Sequence, residues 1–392
     1  MKAILAAAIL LFAIACGQSQ GHQAASSPSA PASPQPLLFA VLQANGTPNA
    51  WTYNTVVIAG LDGRERATAT FAPMSVPILG CMGAVLPPSA HVAAGKVFFA
   101  DSKGVVRSLS IDGTVAVAAT FPMTSTQQIL SFAVSPDGTS LLGTIFTVPS
   151  NAGLACGEQS TTANYTFDAY AAPAGGTSTL VYRQAWSAPH DVLALTGWDA
   201  VGPIGTYPTV WATQGGGPGS TLGIKVRVNP ATIQPSAVLT DPAKCLVWDS
   251  NANGAFVCLG NAAITAGGTA DQRVSQTVSV RQAGDVELWH STVVGQNGQF
   301  GPYLSPDAQH VQVCCNDLNL AEPHELLVGR DGSQVNLVTG FYAAGWLDAL
   351  TMIGYVNANG GQQPTFSYVS TNAPSTAVSM GFSGTFIGTV RA

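Results

Sequence analysis

From residue 37 to the C-terminus the chain repeats itself about every fifty residues, which requires an array of similar small units. Val57-Ile58-Ala59-Gly60-Leu61-Asp62-Gly63, followed by Thr70-Phe71, returns as Ser108-Leu109-Ser110-Ile111-Asp112-Gly113, followed by Thr120-Phe121. It returns again as Leu326-Leu327-Val328-Gly329-Arg330-Asp331-Gly332 ahead of Phe341. Asp-Gly between apolar runs is a hairpin signal, on the expectation that both turn residues accept positive φ. Weaker copies turn near Gly176, Pro230, Gly284 and Ala373, so successive turns lie 50, 63, 54, 54, 48 and 41 residues apart. This spacing predicts seven units.

A second series of turns interleaves with the first. Ile129–Val134 leads into Ser135-Pro136-Asp137-Gly138, and Tyr303-Leu304 into Ser305-Pro306-Asp307. Trp198-Asp199, Trp248-Asp249 and Trp346-Leu347-Asp348 are placed in the same slot. Two turn series with matched periods predict an all-β chain of four-stranded antiparallel units. A double β-sandwich would not explain a shared period. Composition agrees: only 9% of residues are charged, against about 25% in an average domain. The 42 Gly and 25 Pro suit frequent turns. The same figures exclude a helical bundle and a disordered acidic or basic chain, and a net charge of -6 without a basic patch argues against nucleic-acid binding.

Strand, Ser-Pro-Asp-Gly, strand resembles the blade signature of WD-repeat-like and TolB-like β-propellers, although no Trp-Asp dipeptide closes a third strand. The resemblance implies a propeller of seven blades, within a range of six to eight. Ser-Pro-Asp-Gly would turn between the inner strands a and b, and Asp-Gly between the outer strands c and d. The turn aspartates Asp62, Asp112, Asp137, Asp199, Asp249, Asp307, Asp331 and Asp348 are then structural, accepting hydrogen bonds from turn amides. The first unit has one strand too few, and Thr385–Val390 is a spare strand, expected to complete that blade and close the ring.

The N-terminus is read as an address. Lys2 precedes thirteen apolar residues, too few to span a bilayer but suited to a signal-peptide core. Ala13-Ile14-Ala15-Cys16-Gly17 resembles a bacterial lipobox, which implies a signal peptide over 1–15 and lipidation of Cys16. Residues 16–36, rich in Ser, Pro and Ala, form a flexible tether to a propeller domain over 37–392. The expected location is therefore the bacterial cell envelope, with the exported protein held to the membrane by lipid.

Cys81, Cys156, Cys245, Cys258, Cys314 and Cys315 are disulfide candidates in an exported chain. Cys245 and Cys258 are expected opposite each other on a hairpin centred near Asn251-Ala252. Cys81 and Cys156 could tie neighbouring blades, and Cys314-Cys315 could form a vicinal bridge. All six are expected toward the propeller face that carries the b–c and d–a connections. The long insertions 148–162, 212–220, 260–272 and 316–323 emerge there too, making that face the expected binding face.

Chemistry-bearing motifs are few. Asp249-Ser250-Asn251-Ala252-Asn253-Gly254 begins like a calcium loop, but position 260 is Gly where the closing Glu should stand. His22, His91, His190, His290, His310 and His324 are scattered without zinc-ligand spacing, and neither His190-Asp191 nor His324-Glu325 makes a ready dyad. There is no nucleophile elbow or phosphate loop. Trp198, Trp248 and Trp346 are expected at equivalent blade positions, packing between blades. The chain is accordingly read as a monomeric, non-catalytic binding or scaffold module for a protein, peptide or glycan, with no metal and no cofactor. The alternative is a propeller enzyme with dispersed residues, a hydrolase or lyase, or a quinoprotein dehydrogenase using Cys314-Cys315. A structural subunit of an envelope assembly is a third reading.

Overall fold

The computed structural model describes residues 37–45, 52–74, 90–148, 165–186, 193–207, 224–233, 235–237, 245–260, 263–266, 273–296, 300–314, 325–356 and 365–391. The signal peptide, Cys16 and the tether lie outside them. Among the described residues every regular element is a strand, and the strands assemble into seven sheets. Each sheet has four antiparallel strands running outward from a common centre, the architecture of a seven-bladed β-propeller.

The innermost strands, a, are Thr385–Val390 in blade 1, then Ala90–Ala93, Gln128–Val134, Ala194–Trp198, Cys245–Ser250, Phe300–Leu304 and Phe341–Trp346 in blades 2 to 7. In blades 2 to 7 strands b, c and d follow a in chain order. Blade 1 is assembled from both ends of the chain, as expected. Leu38–Asn45 is its strand b, and pairs with Thr52–Gly60 on one side and Thr385–Val390 on the other. Two short strands are extra. Gly176–Thr177 runs parallel to the outer strand Val115–Thr120 of blade 2, and Ala263–Ala266 pairs with Arg273–Gln282 in blade 5.

The inner strands are apolar on both faces because both faces are buried, whereas outer strands such as Gln334–Asn336 are exposed. In blade 1, Leu38, Ala40 and Leu42 pack toward blade 2, while the alternate Phe39 and Val41 pack toward blade 7. The core is thus a ring of layers between neighbouring sheets rather than one central cluster. Large layers lie between blades 2 and 3, 3 and 4, and 5 and 6. Val247, Phe256 and Cys258 of blade 5 form a further small cluster. An ion pair between Lys225 of blade 4 and Asp249 of blade 5, at 3.3 Å, joins those two blades.

The turns fall where the two series place them, but by a different backbone mechanism. Gly63, Gly113 and Gly332 have φ of 71°, 85° and 83°, whereas no Asp of these c–d turns has positive φ. Gly113 N–H donates to the Ser110 carbonyl and Ser110 N–H to that of Thr114, both at 3.0 Å. This is a type I turn followed by one left-handed glycine, so only Gly needs conformational freedom. Both residues take positive φ instead at Ala94 (47°) and Gly95 (69°), the two-residue turn between strands a and b of blade 2.

The a–b series needs three corrections. Asp249 lies within strand a of blade 5, not in a turn. Its turn begins at Asn251, the counterpart of Ser135, Asp199, Ser305 and Leu347. Trp248 is therefore not equivalent to Trp198 and Trp346, which immediately precede their turns; Ser250 holds that place. The Cys245–Cys258 register also shifts: Cys245 faces Gly260, and Cys258 faces Val247, with a bulge before Asp249. A turn longer than the one centred on Asn251-Ala252 moves the pairing by two residues.

Ring closure brings blades 7 and 1 into close contact. Gly345, φ 154°, lies at a bulge of strand a in blade 7, and a Cβ there would stand 2.6 Å from the ring of Phe386. Gly345→Ala is expected to destabilise by about 1–3 kcal/mol through overpacking at the closure. Urea denaturation with intrinsic fluorescence reads it, and an unchanged midpoint would contradict the packing account.

Candidate functional site

The last residues of strands a and the a–b turns ring the propeller axis. There they enclose a cavity of about 620 Å³ lined by residues of all seven blades, within the usual range for small-ligand sites of about 300–1,000 Å³. It reaches the short-turn end of the propeller. The four long insertions are b–c connections, leaving blades 3 to 6 at the opposite end. Apart from Val148, Gly260 and Ala263–Ala266 they lie outside the described residues, as do Cys81, Cys156 and Cys315. Neither Cys258 nor Cys314 is a free thiol.

The aspartates act differently at different turn positions. Asp137 and Asp307 are twins: each Oδ1 accepts the hydroxyl of the turn-opening serine, Ser135 at 2.6 Å and Ser305 at 2.7 Å. Each also accepts the N–H two residues on, at 3.1 Å. Asp62, Asp112, Asp331 and Asp348 likewise accept N–H groups of Arg64, Thr114, Ser333 and Leu350. These bonds favour the charged form, and hold Asp62, Asp112, Asp137 and Asp331 below the usual carboxylate range. The calcium-like segment is a hairpin turn, in which Asn251 Oδ1 accepts Asn253 N–H and Ala255 N–H, both at 3.1 Å. Among the described residues no cluster of three or more His, Cys, Asp or Glu is arranged to hold a metal.

Asp199 and Asp249 are the two acids that line the cavity. Asp249 Oδ1 pairs with Lys225, and its Oδ2 accepts the Leu304 N–H at 2.9 Å, so one carboxylate joins blades 4, 5 and 6. Asp199, 3% exposed, accepts the Val201 and Gly202 amides and Arg227 through Oδ1. Its Oδ2 is buried with no partner among the described residues. Such an atom calls for a donor, because a buried unpaired acceptor carries its full desolvation penalty.

His91, on strand a of blade 2, also lines the cavity. Its ring meets Phe132 edge-on at 4.7 Å, it hydrogen-bonds the Phe132 backbone, and its Nε2 is buried and unpaired among the described residues. Burial pushes its pKa down to about 4, so the ring is neutral at physiological pH. The sequence offered only a lone histidine in Ala90-His91-Val92-Ala93, and nothing in that run marks it as facing the axis.

The two end-of-strand tryptophans differ. Trp346 donates from Nε1 to the Tyr303 carbonyl at 3.1 Å and stacks on His310, which commits it to the blade 6–7 contact. Trp198 stays partly exposed at the cavity wall. Near Tyr303 lies a buried polar group that the sequence offered only as half of the His324-Glu325 pair. Glu325, 3% exposed, accepts the Ala343 N–H at 2.8 Å and interacts with Gln312. Burial raises Glu325 to about 8 and Tyr303 to about 12.

No protein-family model matches the chain, and no curated protein matches it. Among solved structures it is similar to an oligogalacturonate lyase in complex with manganese, at 9% identity over 85% of this chain and 90% of that one, with a TM-score of 0.48. It is similar to a putative TolB from Agrobacterium tumefaciens at 13% identity, over 76% and 83% of the two chains, with a TM-score of 0.31. Kuenenia stuttgartiensis hydrazine synthase matches at 11% identity, over 74% and 79%, with a TM-score of 0.37. Likenesses at this level say nothing about activity. The propeller assignment rests on the sheet topology of this chain.

Glu325 gives the fold a pH signature. The folded chain keeps on Glu325 a proton that an unfolded chain releases above its ordinary value of 4.5. Its contribution to stability is therefore full below pH 4.5 and is lost progressively as pH rises toward about 8. Glu325→Gln removes that titration, so the variant gains on the wild type from pH 5 to pH 8. Urea midpoints of the two proteins across that range read the effect, and a pH-independent difference would contradict it.

Proposed function

We propose that this chain is an envelope-anchored, non-catalytic binding module whose ligand, a protein segment, peptide or glycan, enters the axial cavity. The cavity carries the reading. It is built by all seven blades, and its lining mixes charged, amide and aromatic side chains, Lys225, Asp249, Asn253, Tyr303 and Trp198 among them. A concave space of this size with a few polar groups among apolar ones is the usual form of a ligand site. Lipidation of Cys16 and the 16–36 tether would hold the propeller to the membrane. The cysteines would staple the long connections on the far face. The d–a and b–c connections there would meet the rest of the envelope.

Two substitutions test the two halves of this reading. Cys16→Ser is expected to move the protein from the membrane fraction to the soluble fraction; continued membrane association would refute the anchor. Gly197 lines the cavity, and a Cβ there meets nothing within 4 Å, so Gly197→Trp fills the cavity without a backbone clash. Native mass spectrometry of protein gently extracted from its own envelope is expected to show a bound species on the wild type that Gly197→Trp lacks. An equal ligand load on both would remove the cavity from the mechanism.

A further inference from the structure

The polarity of the cavity wall narrows the ligand, on the reading that the cavity is the binding site. We infer that the axial cavity takes an extended, apolar peptide segment, one residue of which accepts through its C=O from Lys225 and donates through its N–H to Asp249.

The wall is divided. Polar side chains that keep some exposure gather on blades 4 to 6, with Lys225, Asp249, Ser250, Asn253 and Tyr303 among them. Blades 7, 1 and 2 line the other side with small or apolar residues such as Ala344, Gly345, Ile387 and Val92. Polar groups of that side are largely spent or sealed. Thr389 gives its hydroxyl to the Trp346 and Leu347 carbonyls, and burial seals His91 Nε2, which leaves Arg391 as the exposed polar residue there.

The polar half is organised around one ion pair. Lys225 Nζ stands 3.3 Å from Asp249 Oδ1, and the two side chains keep 23% and 24% of their surface open. Lys225 spends one of its three donors on that bond. Asp249 spends one acceptor site on Lys225 and one on the Leu304 N–H, of about four that a carboxylate offers. The Leu304 bond also fixes the carboxylate in place. The pair therefore presents a donor and an acceptor side by side, with its charge already balanced.

Peptide backbone matches this pattern. In an extended residue the N–H and C=O point to the same side of the chain, which is how facing residues of antiparallel strands exchange two hydrogen bonds. One such residue set against the pair meets both of its groups, and its neighbours' apolar side chains meet the small and apolar half of the wall. A sugar ring carries hydroxyls around its whole rim, and those turned to blades 7, 1 and 2 would lose water without a partner. A charged group would unbalance a pair that is already compensated.

Isothermal titration of the full-length protein in detergent tests this with capped tripeptides, acetyl-Ala-Xaa-Ala-amide with Val, Leu or Phe in the middle. Cellobiose and diacetylchitobiose are the neutral saccharide probes. At least one peptide is expected to bind saturably and more tightly than either saccharide. Replacing its amides by esters one at a time removes an N–H without adding bulk. At one position this is expected to weaken binding roughly tenfold, the worth of a hydrogen bond to a charged group. Lys225→Met keeps the aliphatic stem and is expected to weaken the parent peptide by a similar factor, with circular dichroism confirming its fold. The ester series reads the same pairing on the wild type, should that variant not fold. Absence of saturable binding by every peptide overturns the inference, as do tighter binding of a saccharide, equal affinity of all the esters, and unchanged affinity of a folded Lys225→Met. If Gly197→Trp strips the native ligand while no peptide binds, the peptide assignment falls and the cavity reading stands. If a peptide binds wild type and Gly197→Trp equally, both fall.

Discussion

Closure of the ring governs this structure. Seven sheets close into a ring about an axis only if the first and last pack together, and here the clasp is the pairing of Leu38–Asn45 with Thr385–Val390, which builds blade 1 from both ends of the chain. Residues almost 350 positions apart become neighbours in one sheet. The loop-closure entropy of such a contact grows only slowly with length, whereas its loss would expose strand edges and open two inter-blade layers. Gly345 and Phe386 show how tightly the joint is packed. A side chain on one would occupy the ring of the other.

The cavity follows from that geometry. Strands a converge on the axis but do not meet across it, so seven strand ends and their turns surround a space that no single blade contains. Lateral bonds fix the rim of this space. Ala94 N–H donates to the Pro136 carbonyl at 3.1 Å, Ala200 N–H to that of Ala252 at 3.0 Å, and Thr389 Oγ1 to those of Trp346 and Leu347. Asp249 joins three blades by itself. A wall held this way keeps its polar atoms in place before any ligand arrives, the condition for selective binding at low entropic cost.

The same packing separates two kinds of polar group. Turn aspartates saturate themselves within their own hairpins. His91 Nε2 and Asp199 Oδ2 are left unpaired among the described residues, though buried. Glu325 is a third kind, a carboxyl sealed between blades 6 and 7 and kept protonated by burial. For the aspartates local sequence does not separate the cases, because an aspartate before a small residue looks the same whether its second oxygen is satisfied or not.

What the sequence by itself determined is the set of local features that recur: the c–d turns, the Ser-Pro-Asp turns at 135 and 305, the seven-fold count, and the incomplete first blade. Turn chemistry and strand patterning act over a few residues, so they survive in one dimension. Their backbone detail did not. The Asp-Gly turns use one left-handed residue rather than two, and a longer turn at Asn251 moved the Cys245–Cys258 register and put Asp249 back into its strand. Only the tertiary structure decided which residues meet at the axis. His91, Asp199, Lys225 and Asp249 come from blades 2, 4 and 5, and their approach depends on blade number, strand tilt and closure at the termini. None of these is a local property of the chain. Burial, which among the described residues leaves atoms such as His91 Nε2 and Asp199 Oδ2 unpaired, exists only once the sheets have closed around them.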